Sequence, residues 1–148
     1  MAQSFENVFL ELCREKHLAV THQRLVLFRE LMQMKDHPSP EEIFERIRPE
    51  LPSISLATVY KTLRVFLAAG IIREVSPHHG SLRIEPNTRR HYHFLCLQCH
   101  AITDLVSQEV EVDVSSLKDS VPEGFQVEQV SLEARGICRQ CAEASGHA

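Results

Sequence analysis

Ser55-Leu56-Ala57-Thr58-Val59-Tyr60-Lys61-Thr62-Leu63-Arg64-Val65-Phe66-Leu67-Ala68-Ala69-Gly70, followed at once by Ile71-Ile72-Arg73-Glu74-Val75, is the stretch that decides the fold of this chain. Ser55 is placed to cap a helix and Gly70 to end it in a left-handed turn. Leu56, Val59, Leu63 and Phe66 form the apolar stripe of that helix. Opposite them stand Ala57, Tyr60, Lys61 and Arg64, spaced i, i+3, i+4 and i+7. A face that is small, aromatic and basic suits a helix that enters the major groove, where cations neutralise phosphates and a few longer side chains reach base edges. A solvated polar face is the plainer alternative, and the segment after the helix tips the balance. Ile71–Val75 and Ser81–Glu85 alternate as two strands around Pro77-His78-His79-Gly80, which has turn chemistry. A recognition-type helix followed by a hairpin is the second half of a winged helix-turn-helix, with Arg83 and the turn histidines near the duplex backbone. His78 and His79 also fit a simple turn.

Upstream, the chain reads as three more helices. Phe5, Val8, Phe9, Leu12 and Cys13 share one face behind a Ser4 cap, and Cys13 there is a buried thiol rather than a ligand. Thr21 caps a second helix carrying Leu25, Phe28, Leu31 and Met32. This helix should end near Asp36-His37-Pro38, because the residue preceding proline avoids helical geometry. Ser39-Pro40-Glu41-Glu42 is a capping box with proline at the first helical position, ahead of Ile43, Phe44 and Ile47; Pro49 and Pro52 close that helix.

Downstream, Pro86-Asn87-Thr88-Arg89-Arg90 reads as a hinge. It divides an amino-terminal part with the recognition-type helix, residues 1–85, from a carboxyl-terminal part that carries the cysteine pairs, residues 91–148. The second domain should hold a strand over His91–Cys96, another near Ala101–Val106, a short helix near Val114–Ser120, a third strand over Phe125–Ala134, and a frayed tail from residue 142.

Four of the five cysteines form two Cys-x-x-Cys pairs, Cys96/Cys99 and Cys138/Cys141. Each such turn lets two thiolates converge, and two turns together complete a tetrahedral structural zinc site. The 38 intervening residues exceed ordinary zinc-ribbon spacing, so the pairs by themselves do not name the fold. Disulfides are disfavoured, because nothing at the amino terminus resembles a signal peptide and a cytoplasmic thiol stays reduced. Along the His91–Cys96 strand, His91 and His93 share a face and Cys96 has the opposite parity. The two imidazoles can therefore serve a second metal with carboxylate help, or be two ordinary surface histidines.

The net charge of −4 conceals an asymmetry: residues 1–90 carry +2 and residues 91–148 carry −6. Any polyanion should meet the amino-terminal part. The longest apolar run, Val65–Ile72, is far too short for a membrane span. A cytoplasmic location is expected, with no membrane partner.

Thr21-His22-Gln23-Arg24, Asp36-His37-Pro38, Ala57-Thr58-Val59-Tyr60-Lys61-Thr62-Leu63 and His91-Tyr92-His93-Phe94-Leu95-Cys96-Leu97-Gln98-Cys99 together resemble the ferric uptake regulator family of metal-dependent repressors, over almost the whole chain. The resemblance implies an α+β fold, with an amino-terminal winged helix-turn-helix domain and a carboxyl-terminal α/β dimerisation domain carrying structural zinc on the four cysteines. It also implies a homodimer bound to double-stranded operator DNA. A regulatory Fe(II) or Mn(II) would sit on His37, Glu85, His91, His93 and Asp104 and tie the domains together, acting as corepressor. Ala57, Tyr60, Lys61, Arg64 and Arg83 would be the DNA contacts.

Peroxide-sensing members of the family combine His-Tyr-His with an aspartate at the position of Asp104, whereas iron sensors carry a His-His-Asp-His run in which Arg90 and Tyr92 stand here. Glu85 departs the other way, since peroxide sensors have aspartate there. The balance favours peroxide sensing by oxidation of His37 or His91, with an iron-responsive repressor as the alternative. Two other classes stay open. Two histidines and a carboxylate suit a non-haem metalloenzyme, although no nucleophile pattern, glycine-rich phosphate loop or deaminase signature accompanies them. A zinc-stapled protein-interaction module is the other. Neither catalysis nor a small organic substrate is expected.

Overall fold

Four capped helices open the chain in the computed structural model, which describes residues 4–75, 82–89, 91–105, 120–127 and 132–146. They are α1 (Phe5–Glu15), α2 (His22–Gln33), α3 (Pro40–Ile47) and α4 (Leu56–Ala68). Ser4, Thr21, Ser39 and Ser55 each accept the backbone N–H three residues on, which satisfies an orphan donor of the first turn. At Ser39 the box is reciprocal, with the Glu42 carboxylate accepting the Ser39 N–H. Gly70, at φ 69°, ends α4, and the Ile71 N–H reaches back to the Phe66 carbonyl. That left-handed turn is where only glycine is unstrained.

The helices enclose a core in which the Phe9, Phe28 and Phe66 rings lie 5.3–6.4 Å apart, joined by Leu27, Leu31, Ile43, Ile47, Val59 and Leu63. Cys13 is fully buried among them, and burial pushes its thiol up. Helix α2 differs from the expected single face. Val26 and Leu27 are buried beside Phe28 and Leu31, while Leu25 and Met32 are only half-buried. The reason is position: α2 packs against both α1 and α3, so it needs a wide apolar surface.

Strands β1 (Arg73–Val75) and β2 (Arg83–Glu85) pair antiparallel in the register Arg73↔Glu85. The turn that joins them, with His78 and His79, lies outside the described residues. One further bond positions this wing: the Ile84 N–H donates to the Pro38 carbonyl at 3.0 Å. It stitches β2 to the loop between α2 and α3, so that Glu85 stands beside His37. The segment expected as a hinge is held as well. Arg73 Nη2 donates to the carbonyls of Asn87 (3.1 Å) and Arg89 (2.6 Å), and the Asn87 N–H donates to Glu85 Oε1.

Met1–Arg89 is one unit, and Arg90–Ala148 is a second. In the second, β3 (Tyr92–Cys96) is central, with β4 (Ile102–Leu105) antiparallel on one side and β5 (Glu133–Gly136) parallel on the other. Two expectations need correction. No strand runs over residues 125–127; the pairing strand begins at Glu133 and ends at Gly136, in register with Cys96. Gly136 fits that register because a Cβ there would meet the Phe94 ring at 3.2 Å. The tail is not frayed at residue 142, because α5 (Arg139–Ala144) runs through it. The helix expected near Val114–Ser120 falls almost wholly outside the described residues. Among the described residues, no helix is long and apolar enough to cross a membrane.

Candidate metal centres and nucleic-acid interface

Cys96 is the last residue of β3, and Cys99 closes the tight turn that follows it, with His100 in a left-handed conformation at φ 60°. Parallel pairing sets Gly136 beside Cys96, and the Leu97 N–H donates to the Gly136 carbonyl at 2.7 Å. Two residues later Cys138 caps α5, whose first turn carries Cys141. Sheet register thus brings together turns that are 38 residues apart in sequence. The four sulfurs lie within 4.8 Å of one another, and the Cys99–Cys138 separation is 3.7 Å. Zinc–sulfur bonds of about 2.3 Å at tetrahedral angles require sulfurs about 3.8 Å apart, so the donor set and its spacing fit structural zinc. The Cys96 thiol is pulled down to about 5, first by the Cys99 backbone N–H aimed at its sulfur and then by that of Cys138. Cys141 is pushed up to about 12, first because its S–H donates to Cys138 and then by burial. Zinc takes cysteine as thiolate, so binding at this cluster releases the remaining S–H protons.

In the same unit, β3 and β4 place a second donor group. His93 pairs directly with Asp104, and His91 lies two residues earlier on the same face. Asp104 Oδ1 stands 3.5 Å from Nε2 of both histidines, whose rings are 4.6 Å apart at 70°. Metal–nitrogen and metal–oxygen bonds of about 2.1 Å at near-tetrahedral angles separate donor atoms by about 3.4 Å, so these three side chains fit an ion between them. Cys96 belongs to the other cluster, as strand parity requires.

In the helical unit, His37 and Glu85 are buried to 3% exposure each, and His37 Nε2 meets Glu85 Oε2 at 2.7 Å. His37 holds a left-handed backbone at φ 49°, which costs free energy for a residue with a Cβ and recurs at ligand sites. Its neighbours fix it there. Asp36 is paired with Arg46 of α3, which lowers the Asp36 carboxyl, and the Pro38 carbonyl is held by β2.

The outer face of α4 forms a shallow groove lined by Ala57, Tyr60, Lys61, Arg64, Val65 and Ala68. Lys61 and Arg64 are exposed. Tyr60 Oη donates to Glu41 Oε1 at 2.7 Å, and Arg83 Nη1 donates to Glu42 Oε2 at 2.9 Å. A phosphate contact by Arg83 must therefore replace an existing ion pair. Glu41 and Glu42 were not singled out by sequence beyond their capping role. Their partners lie 19 and 41 residues away, and only the α3–α4 packing and the wing bring them together.

The model of the ferric uptake regulator family matches residues 15–135. The peroxide-responsive repressor PerR of Staphylococcus epidermidis is 35% identical over 130 residues, covering 88% of this chain and 85% of that protein. The Helicobacter pylori ferric uptake regulator, whose structure reveals three functional metal binding sites, superposes with a TM-score of 0.76 at 22% identity, over 94% of each chain. The Vibrio cholerae regulator, whose structure reveals a rearrangement of its DNA-binding domains, does so at 0.67 and 28%, over 86% of this chain and 98% of that one. With a winged helix, a four-cysteine cluster and this match over most of its length, the chain belongs to the ferric uptake regulator family.

Proposed function

We propose that the protein is a homodimeric, metal-dependent repressor that binds operator DNA through α4 and the wing, and that it responds to peroxide. The observation that carries the reading furthest is the ready pairing of the expected ligands: His37 with Glu85 in one unit, and His91, His93 and Asp104 in the other. One ion taking all five would select a single arrangement of the two units. Driving the binding-competent population from about 1% to 99% takes roughly 5.5 kcal/mol, within reach of multidentate coordination. Imidazoles and carboxylates without thiolate suit Fe(II) or Mn(II).

His37 and Glu85 contribute burial, which keeps water from competing for their donor atoms. A residual adjustment is needed, since a 2.7 Å contact is a hydrogen bond and an ion between the two would part them by a few tenths of an ångström. Iron held by this set would lend peroxide an electron and recover it from the ring, so that in net terms one peroxide oxygen is inserted into an imidazole C–H of His37 or His91, giving the 2-oxo ring, and the other leaves as water. An oxidised imidazole is a poorer donor, so the affinity of the set for metal falls and the DNA-competent population falls with it. The relatives named as peroxide-responsive repressors favour this over iron sensing. Homodimerisation is carried over from the family to which the chain belongs.

Two experiments test this. Lys61→Ala and Arg64→Ala should each weaken duplex binding and lower the slope of log affinity against log salt by about one unit. An unchanged slope removes those residues from the phosphate contacts. Protein loaded with Fe(II) and treated with peroxide should lose duplex binding and gain 16 Da, about one oxygen atom, on a peptide containing His37 or His91. The Mn(II) form should do neither. Lost binding without histidine oxidation, or equal loss with manganese, rejects peroxide sensing through histidine. Iron-dependent binding that ignores peroxide would favour the iron-responsive alternative.

A further inference from the structure

We infer that Glu41 is a positioning residue for sequence readout: through its hydrogen bond it fixes the orientation of Tyr60 on the recognition face of α4. The inference rests on the proposed DNA-binding role of that face. Tyr60 lines, with Ala57, Lys61 and Arg64, the groove the duplex would enter. A half-exposed tyrosine on a helix samples several rotamers, and ordering it on binding costs affinity for the sequence it reads. Here the hydroxyl is held at 2.7 Å by Glu41 of the neighbouring helix, so the ring is oriented before DNA arrives. The same contact lowers the Glu41 carboxyl and raises the Tyr60 phenol.

Glu41 is itself well anchored. It lies in the first turn of α3 beside the Ser39–Glu42 capping box, which fixes the backbone from which it extends. Glu42 holds Arg83 of the wing in the same manner. Two adjacent carboxylates of α3 thus tether one side chain from each element expected to face DNA. A carboxylate close to the duplex is repelled by phosphate, so its presence lowers general affinity. Its use must lie in discrimination, which depends on the difference between right and wrong sequences.

The test uses the full-length manganese-loaded protein and a duplex selected by the wild type from a random pool, competed against a scrambled duplex of the same composition. Glu41→Ala and Tyr60→Phe should each reduce the ratio of selected to scrambled affinity about 10-fold, of the order of one lost base contact. The double variant should be no worse than either single one, as coupled partners require. Glu41→Gln keeps an acceptor without the charge and should restore most of the ratio, while its general affinity rises. If Glu41→Ala and Glu41→Gln behave alike, or if the double variant loses the product of the single losses, the positioning role is wrong. If the wild type selects no sequence at all, the DNA-binding reading itself fails, and that outcome is distinct from the other two.

Discussion

Cys96→Ser is expected to unfold the carboxyl-terminal unit and leave the helical unit intact. The two units are unequally supplied with apolar interior. Every member of the main core cluster belongs to the first unit, and among the described residues of the second only Leu95 and Cys96 are buried apolar side chains. A small unit of that kind depends on metal for its folding free energy, and structural zinc supplies on the order of 10 kcal/mol or more. Cys96 is the corner with the most at stake. It is fully buried, it ends the central strand, and it accepts backbone N–H groups from both Cys-x-x-Cys turns. Serine offers a neutral hydroxyl where zinc requires a soft anion. Zinc content by mass spectrometry should fall from one per chain to none. Dimers should be lost by sedimentation, and thermal melting should retain a single transition from the helices. A variant that keeps zinc and its dimer would show that the metal is not what holds the second unit together.

His37→Ala should produce the opposite phenotype, a folded dimer that is deaf to metal. Loss of the buried bond to Glu85 costs about 1–3 kcal/mol, which the helical core can absorb. The Asn87 N–H still donates to Glu85 Oε1, so the carboxylate keeps a partner. Duplex affinity measured with chelator and with saturating Mn(II) should then differ by less than about 2-fold, where a shift of roughly 5.5 kcal/mol in the wild type permits a change of several orders of magnitude. Titration with Mn(II) should also show weakened binding. If metal-dependent DNA binding persists in this variant, the coupling does not run through His37, and a regulatory site confined to His91, His93 and Asp104 becomes the better description.

Much of this architecture was legible because its signals are local. Ser4, Thr21, Ser39 and Ser55 each cap the helix they were expected to cap, and Gly70 takes the left-handed turn, since these effects act within one helical turn. Strand parity separated His91 and His93 from Cys96 for the same reason. The misjudged elements depend on distant partners. Alternation across Phe125–Ala134 could not reveal that pairing begins at Glu133, because the register is chosen by β3 and by the close fit of Gly136 on Phe94. Nor could composition foresee α5, which starts just after Cys138, where the β3–β5 pairing has brought the chain back beside Cys96.

The sequence alone determined which residues are chemically equipped for metal and for polyanion: thiolates in two turns, imidazoles on one strand face, and cations on one helix face. Side-chain type and short-range periodicity suffice for that. Tertiary structure decided who meets whom. The Ile84–Pro38 backbone bond sets Glu85 against His37, the parallel β3–β5 pairing closes the four-sulfur cluster, and α3 packing on α4 gives Tyr60 its carboxylate partner. These contacts join residues 19 to 48 positions apart. Their free energy exists only once the chain has collapsed around the core that makes them neighbours.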